Sequence, residues 1–205
     1  MNNNKSTTYS AEWQSPSNLA IVKYWGKRDV QQPLNPSISF SLKNAVTTTR
    51  VTATRSNKAG FTFLLDGNHK KTFNAKITNL LELASTTLPF ITTHHLTIES
   101  TNTFPHSSGI ASSASSMSAL ALCLADIQLK VNNDVYHNID LQMVSNLSRL
   151  GSGSAARSLY GGWTIWGETP AFAESNDNYA VELKDIHPNF MHIANAILII
   201  EPKSK

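Results

Sequence analysis

A run of small, hydroxylated residues leads into an apolar segment at residues 104–126, FPHSSGIASSASSMSALALCLAD. The apolar residues from Met117 to Leu124 recur at helical spacing, and Ser112 or Ser113 is expected to be the N-cap residue of that helix. A helix that starts after such a loop offers backbone N–H groups and the positive end of its dipole to an anion. Taken alone, the stretch is either a phosphate-binding loop or an ordinary loop before a core helix.

Two further stretches combine glycine with donors that suit phosphate. Residues 23–29 read KYWGKRD, in which Tyr24 and Lys27 flank a glycine and can clamp a phosphate. Residues 151–158 read GSGSAARS and offer serine hydroxyls and the bidentate fork of Arg157. Snorkelling surface residues and a glycine-rich turn are the structural alternatives for the two stretches. Three anion-binding stretches in one small chain predict a ligand with several phosphates, such as a nucleotide together with a phosphorylated acceptor.

The common nucleotide and catalytic signatures do not account for these stretches. The chain has no G-x-x-x-x-G-K-[ST] sequence of the P-loop and no G-x-S-x-G elbow. Residues 151–156 fit the loose G-x-G-x-x-A dinucleotide fingerprint, but they follow a helical pattern and not a strand. The histidines are expected to be surface or core residues. The single cysteine, Cys123, excludes a disulfide within the chain and a cysteine-based zinc site.

The elements that position these stretches are predicted from hydrophobic periodicity. Alternating apolar and polar residues indicate strands, and a repeat of 3.6 residues indicates helices. A strand enters the loop at residues 104–111 and a helix leaves it. The predicted strands are residues 38–42, 45–54, 60–65, 95–100, 163–166, 179–183 and the buried run 194–200, a turn is predicted at Asp66 and Gly67, and the predicted helices begin near Asn74, Ser112 and Leu141.

Length and composition indicate a soluble globular domain. The 205 residues are 40% hydrophobic and 15% charged, which is enough apolar material for a real core. The net charge of +3, with no basic run longer than Lys70–Lys71, argues against nucleic acid. No signal-peptide pattern is seen, and no window approaches 18 apolar residues. We therefore expect a cytoplasmic protein with no nucleic-acid or membrane partner, in which residues 1–8 are disordered.

In this order, SPSNLAIVKYWGKRD, FPHSSGIASSAS and GSGSAARSLYGG resemble the mevalonate diphosphate decarboxylases of the GHMP kinase superfamily. Residues 105–114 fit the superfamily's phosphate loop, P-x-x-x-G-x-x-S-S-A, and Ala111 replaces the glycine of most of its kinases, as in the decarboxylases. The resemblance covers residues 15–200. It implies an α+β fold for residues 9–205, the GHMP kinase N-terminal domain, which is a ribosomal-protein-like two-layer α/β sandwich with a mixed sheet and helices mainly on one face.

The resemblance also implies roles for individual residues. Arg157 would face the carboxylate of the substrate, and Arg157 and Lys23 form the catalytic group. Ser112 would contact Mg²⁺, and Lys76 would replace an arginine of the family. The implied substrate-binding residues are Tyr24, Trp25, Gly26, Lys27, Lys76, Ser152, Gly153, Ser154 and Arg157, and the implied ATP and phosphate-loop residues are Asn18, Pro105, Ser107, Ser108, Gly109, Ala111, Ser112 and Ser113.

The implied reaction is the ATP-dependent decarboxylation of mevalonate 5-diphosphate to isopentenyl diphosphate, with ATP and Mg²⁺ as cofactors and a possible homodimer. Enzymes of the family are longer, and their catalytic aspartate would fall beyond Lys205, so the C-terminal domain is expected to be missing. Two alternatives remain open. One is a related kinase or decarboxylase that acts on mevalonate or phosphomevalonate, and the other is a truncated fragment that binds ligand without catalysis.

Overall fold

The structure, a computed structural model, describes residues 7–105, 110–134 and 137–198. Short stretches of 3₁₀ helix connect several of the regular elements. The strands are β1 (Thr8–Val22), β2 (Lys27–Arg28), β3 (Gln32–Pro33), β4 (Ser37–Arg55), β5 (Gly60–Leu65), β6 (Asn68–His69), β7 (His94–Asn102), β8 (Trp163–Trp166) and β9 (Ala180–Glu182), and the helices are α1 (Asn74–Ala84), α2 (Ser112–Val131) and α3 (Leu141–Gly151).

One mixed sheet of seven strands carries the fold, with β4 at its centre. β1 pairs along one edge of β4, while β7 and β8 pair with different halves of the opposite edge. β5 and β6 extend the sheet beyond β7, and β9 extends it beyond β8. β5 runs parallel to β7, and the other pairs in the sheet are antiparallel. β2 and β3 form a separate two-stranded hairpin.

The helices cover one face of this sheet, because β4 alternates between buried and accessible side chains. Thr47, Thr49 and Val51 point into the core, whereas Arg50 on the other face is exposed. The strand is rich in β-branched residues, which fit the pleated surface well. α2 packs on β1 and β4 and contacts α3. The predicted α+β two-layer architecture is therefore confirmed.

The central helix α2 is almost wholly apolar on its inner surface. By length and mean hydropathy it is long and apolar enough to cross a membrane, although serines interrupt its apolar residues. However, 72% of its most apolar window is buried inside the domain, which is the pattern of a core helix. Cys123 lies in this helix and is fully buried, and burial raises the pKa of its thiol to about 12.

Most predicted elements lie at or near their predicted positions. The strands at residues 60–65 and 163–166 have the predicted bounds, and the two predicted strands at 38–42 and 45–54 are parts of the single strand β4. Asp66 and Gly67 have φ values of 50° and 75°, so they form the predicted turn between β5 and β6. α1, α2 and α3 all occur where the apolar periodicity placed helices.

The sequence analysis missed β1 and the hairpin of β2 and β3. β1 contains many polar residues, among them Ser15 and Ser17, whose hydroxyls are buried against α2 and Ile110, so a count of apolar residues does not reveal it. Thr8, included in the segment expected to be disordered, is the first residue of this strand. Residues 1–6 of that segment lie outside the described residues.

The strand predicted at residues 194–200 is wrong for its described part. Residues 194–198 are exposed and adopt no regular structure, and Leu198 is 92% exposed. An apolar run forms a strand only where another strand pairs with it, and no described strand lies beside this one. Ile199 and Ile200 lie outside the described residues.

Candidate active site

Three segments far apart in sequence meet at one end of the sheet. Asn18 on β1 donates from Nδ2 to the carbonyl of Ser154 at 3.0 Å and to the hydroxyl of Ser158 at 2.8 Å. The hydroxyls of Ser113 and Ser152 lie 3.4 Å apart and join the start of α2 to the same segment. The structure therefore brings β1, the start of α2 and the segment after α3 together, and Lys27 of the stretch at residues 23–29 lies beside that segment at Gly153.

Lys27 and Tyr24 form a compact cationic clamp beside Gly153. The Lys27 ammonium lies 5.8 Å from the centre of the Tyr24 ring, within the range of a cation–π contact. A Cβ added to Gly153 would lie 3.3 Å from Lys27 Cε, so the lysine stem passes directly over this glycine. Burial and then the positive charge of Lys76 lower the pKa of Lys27. A bound anion would raise the pKa of Lys27 again, because a nearby negative charge favours the charged ammonium.

Arg157 is a buried cation with unused hydrogen-bonding capacity. Only 2% of the residue is exposed, and Nη1 donates to the hydroxyl of Ser37 at 2.5 Å. Its Nε is buried and finds no hydrogen-bond partner among the described residues. Burial lowers the pKa of Arg157 to about 10, against an opposite effect of Tyr24, so the guanidinium is still charged at neutral pH. A buried charge of this kind is stable only with a partner, which a ligand carboxylate would supply.

A cavity of about 640 Å³ opens beside these groups. That volume suits a small ligand rather than a macromolecule. No carboxylate side chain lines it among the described residues, so its charged groups are cationic. Its polar lining includes Asn18, Lys23, Tyr24, Ser154 and Arg157, and Ala111 closes it on the side of α2.

The start of α2 differs from the sequence prediction. Ala111, and neither Ser112 nor Ser113, occupies the N-cap position, with φ 53° and ψ 43° in the left-handed region. Its carbonyl accepts the first helical hydrogen bond, from Ala114 at 2.8 Å. A residue with a side chain seldom adopts this conformation, and such residues cluster where a loop meets a ligand. Both serines lie in the first turn of the helix.

Part of the predicted phosphate loop cannot be placed. Ser107, Ser108 and Gly109 lie outside the described residues, while Pro105 is the last described residue before them. Of the other predicted residues of this loop, Ala111 lines the cavity, the hydroxyl of Ser113 lies 3.4 Å from that of Ser152, and Ser112 is the first residue of α2.

The remaining predicted site residues are exposed, and of these four Lys23 lines the cavity. Trp25 is 77% exposed, and its backbone N–H donates to the side chain of Asn35. Gly26 has φ 89° and packs against Leu34, so it serves the turn into the hairpin. Lys23 is exposed on the cavity rim, and Lys76 is exposed on α1 close enough to lower the pKa of Lys27.

Three buried residues that hold the site were not predicted. Ser37 and Trp166 contact Arg157, and no motif marks them, because one is a serine in an alternating strand and the other an ordinary strand aromatic. Arg149 on α3 is also buried, and it donates to the carbonyls of Val30 and Asn178. Through its bond to Val30, Arg149 fixes the hairpin of β2 and β3, in which Lys27 lies.

The described residues contain no cluster of histidine, cysteine and carboxylate side chains that would hold a metal ion. Mg²⁺ prefers oxygen ligands and is often held largely by substrate phosphates. The donor set at the start of α2, with the hydroxyls of Ser112 and Ser113, fits a nucleotide-bound Mg²⁺ and does not fit a metal cage made by the protein alone.

Comparison with known proteins agrees with this arrangement. The profile of the diphosphomevalonate decarboxylase-like N-terminal domain family matches residues 15–180. The diphosphomevalonate decarboxylase of Eremothecium gossypii is 33% identical over 96% of this chain and 51% of its own length. The crystal structure of mevalonate diphosphate decarboxylase from Staphylococcus aureus matches with a TM-score of 0.72 and 32% identity, over 88% of this chain and 52% of that one.

Ligands are named for two other similar structures. The mevalonate diphosphate decarboxylase of Enterococcus faecalis, described for mevalonate diphosphate-mediated ATP binding, matches with a TM-score of 0.70, 29% identity and coverage of 87% and 52%. A complex of MDDEF with MVAPP, AMPPCP and magnesium matches with a TM-score of 0.70, 29% identity and coverage of 87% and 51%. The chain spans about half the length of the curated relatives that it matches.

Proposed function

The chain belongs to the diphosphomevalonate decarboxylase-like N-terminal domain family, and we propose that its site serves the ATP-dependent decarboxylation of mevalonate 5-diphosphate. The observation that carries this proposal is the buried Arg157, whose Nε has no partner among the described residues, next to the Tyr24–Lys27 clamp. A ligand that carries a carboxylate at one end and a diphosphate at the other would satisfy both cationic groups at once.

The reaction converts mevalonate 5-diphosphate and ATP into isopentenyl diphosphate, ADP, phosphate and carbon dioxide. A tertiary hydroxyl leaves poorly, so ATP first phosphorylates it. As the phosphate leaves with its bonding electrons, positive charge grows on the carbon. The electrons of the neighbouring carbon–carboxylate bond then form the double bond, and carbon dioxide departs.

Within this scheme the described residues bind and orient. Lys27 and Tyr24 hold the diphosphate, and Arg157 holds the carboxylate in line with the leaving group, which lowers the barrier by positioning. The start of α2, with Ser112 and Ser113, receives the ATP phosphates through its N–H groups and dipole. Mg²⁺, when bound with ATP, neutralises charge on the transferred phosphoryl group. No described carboxylate lines the cavity, so we assign no proton-transfer step to a residue of the described chain.

Several finer assignments stay predictions. These are the contact of Ser112 with Mg²⁺, the individual substrate and nucleotide contacts, the homodimer and the cytoplasmic location. The division of the chain into a disordered segment at residues 1–8 and a domain at residues 9–205 also stays a prediction.

Calorimetric titration of the 205-residue chain with mevalonate 5-diphosphate, alongside an assay of ATP-dependent carbon dioxide release, tests the function. We expect binding by the unchanged chain. Lys27→Ala and Arg157→Ala should each weaken it roughly 10- to 100-fold, because each removes a charge-assisted hydrogen bond.

The matched control is Lys58→Ala. Lys58 is an exposed lysine before β5, and β5 starts opposite His95, at the far end of β7 from the loop that precedes α2. This variant should bind like the unchanged chain. A folded chain that does not bind mevalonate 5-diphosphate would overturn the proposal. Normal binding by both site variants would overturn the assigned contacts. Binding without carbon dioxide release would show a formed substrate site that lacks catalysis.

A further inference from the structure

Trp166 on β8 lies beneath the candidate site and has no role in the proposed chemistry. The residue is fully buried, and its indole Nε1 donates to the carbonyl of Asp177 at 2.9 Å. This hydrogen bond fixes the rotation of the ring, because a buried indole N–H left without a partner would be costly. The ring is therefore a rigid surface on which other groups can be placed.

Three predicted substrate-binding residues rest on this one ring. The Tyr24 ring meets it edge to face, with centres 5.0 Å apart and an angle of 78° between the planes. The guanidinium carbon of Arg157 lies 5.9 Å from its centre. A Cβ added to Gly153 would lie 2.9 Å from ring atom Cη2, so the glycine backbone lies directly against the ring.

Ser37 also holds the guanidinium of Arg157 in place. Its hydroxyl accepts from Nη1 of Arg157 at 2.5 Å and donates to the backbone carbonyl of Trp166 at 3.2 Å. Ser37 is fully buried and pairs with Trp166 across β4 and β8. The guanidinium thus has one face near the indole ring and one nitrogen anchored by the serine opposite that same residue.

We propose that Trp166 is a positioning residue that sets the site's preference for ligands with a carboxylate, by holding Arg157 and Tyr24 in one fixed arrangement. This inference rests on the proposed function, since it concerns mevalonate 5-diphosphate. A cation near an aromatic face, out of water, is held more strongly than an exposed one. Loss of the ring would leave Arg157 charged but free to turn away from the carboxylate.

The measurement that isolates this role is a ratio of two affinities. Isopentenyl diphosphate carries the diphosphate of the substrate but neither its carboxylate nor its tertiary hydroxyl, so the ratio of its dissociation constant to that of mevalonate 5-diphosphate reports the contacts of those two groups. A change of this ratio on loss of a group that holds Arg157 reports the carboxylate contact. Trp166→Leu should reduce this ratio about tenfold, given the strength of a desolvated cation–π contact. Both affinities should also fall, because Tyr24 loses its support.

Trp163→Leu is the matched control. Trp163 lies on the same strand, and its ring packs on Phe40 and Phe190, away from Arg157. The same substitution there should leave the ratio unchanged. Partial unfolding lowers the fraction of protein that binds either ligand, but it does not change their ratio, so a merely structural role of Trp166 gives a different result.

Two milder variants keep the test decisive if Trp166→Leu does not fold. Trp166→Phe retains an aromatic face and should restore most of the ratio. Ser37→Ala removes the acceptor of Nη1 and should lower the ratio in the same direction as the loss of the ring. A wild-type ratio in both Ser37→Ala and Trp166→Leu overturns the positioning role. If the leucine variant is unfolded, a wild-type ratio in Ser37→Ala alone overturns it. Absence of binding in the unchanged chain would instead overturn the proposed function.

Discussion

Arg157 concentrates the chemistry of the site in a single residue. It is charged, almost inaccessible and only partly hydrogen-bonded among the described residues. Burial of a cation costs free energy unless a partner repays it. Burial of Arg157 without a full set of partners lowers the stability of the unliganded fold. A bound anion would compensate the buried charge, so Arg157 indicates function more clearly than the exposed lysines around it.

The lowered pKa of Arg157 gives a pH dependence with a definite sign. Below about pH 10 the guanidinium is protonated in the folded and the unfolded chain, whereas between about pH 10 and the higher, ordinary pKa of arginine only the unfolded chain holds the proton. This group therefore makes the fold more stable as pH rises through that interval. A bound carboxylate needs the charged form, so the preference for mevalonate 5-diphosphate over isopentenyl diphosphate should fall as pH rises through about 10.

Calorimetry with both ligands from pH 8 to about pH 11, within the range where the chain stays folded, checks this expectation. Lysines and tyrosines also titrate there, but they affect both ligands through the shared diphosphate, so the ratio isolates Arg157. Arg157→Gln should give a low, flat ratio across the same range. A wild-type ratio that stays constant through pH 10 would contradict the assignment of Arg157 to the carboxylate.

Gly153 lies where a side chain has no room. In Gly153→Ala, the new methyl would meet the Trp166 ring at 2.9 Å, and the ring is fully buried and cannot give way easily. We expect a loss of about 1–3 kcal/mol in the free energy of unfolding, as for overpacked cores. Urea denaturation measures it. Gly161→Ala is the control, because nothing lies within 4 Å of its added Cβ. Equal stability of the two variants would show that the backbone around Gly153 can shift to accommodate the methyl group.

At the scale of elements, the start of α2 combines a backbone irregularity with a ligand-binding position. Ala111 holds a left-handed conformation immediately before a helix of 20 residues. Ile110 and Ala111 line the cavity, whereas the helix that starts at the next residue enters the core.

Because Ala111 is strained, replacing it with glycine should not lower the free energy of unfolding, unlike most alanine-to-glycine changes at a helix. Ala111→Gly should leave the free energy of unfolding unchanged or raise it by up to about 1 kcal/mol, because glycine adopts positive φ without steric cost. The control Ala119→Gly, in the buried middle of the same helix, should lower it by about 1 kcal/mol or more. Urea denaturation of both variants compares them. Similar losses in the two would show that Ala111 is not strained.

At the scale of the whole molecule, the candidate site is formed by elements that are distant in sequence and meet in the fold. β1, the start of α2 and the segment after α3 contribute separate groups, and Arg149 fixes the hairpin that contains Lys27 to α3. A ligand that bridges these groups binds the folded chain and has no equivalent site in the unfolded one. Binding must therefore stabilise the whole domain.

Mevalonate 5-diphosphate at 100 times its dissociation constant should raise the free energy of unfolding by about 2.7 kcal/mol. Urea denaturation with and without ligand measures the gain. At the same ligand concentration, Lys27→Ala should lose most of it and Lys58→Ala should keep it. No gain in the unchanged chain would show that the convergent groups do not form a binding site in this chain.

The sequence by itself singled out the three stretches predicted to bind anions, and it determined most of the strands and helices and the family. Those features depend on local patterns: glycine and hydroxyl spacing around residues 105–114 and 151–158, and apolar periodicity in α1, α2 and α3. Ala111 was singled out from its motif, but its role as the N-cap residue depends on a backbone angle that the sequence does not state.

Only the tertiary structure decided which residues support the site and how β1 is formed. The strand is stabilised by pairing with β4 and by buried serine hydroxyls, so its polar composition conceals it. Ser37 and Trp166 meet Arg157 because β4 and β8 pair side by side, a contact between residues more than 100 positions apart. Residues 194–198 show the converse, since an apolar run without a paired strand stays irregular. Local chemistry can be predicted from residue type and spacing, whereas pairing and burial depend on distant parts of the chain.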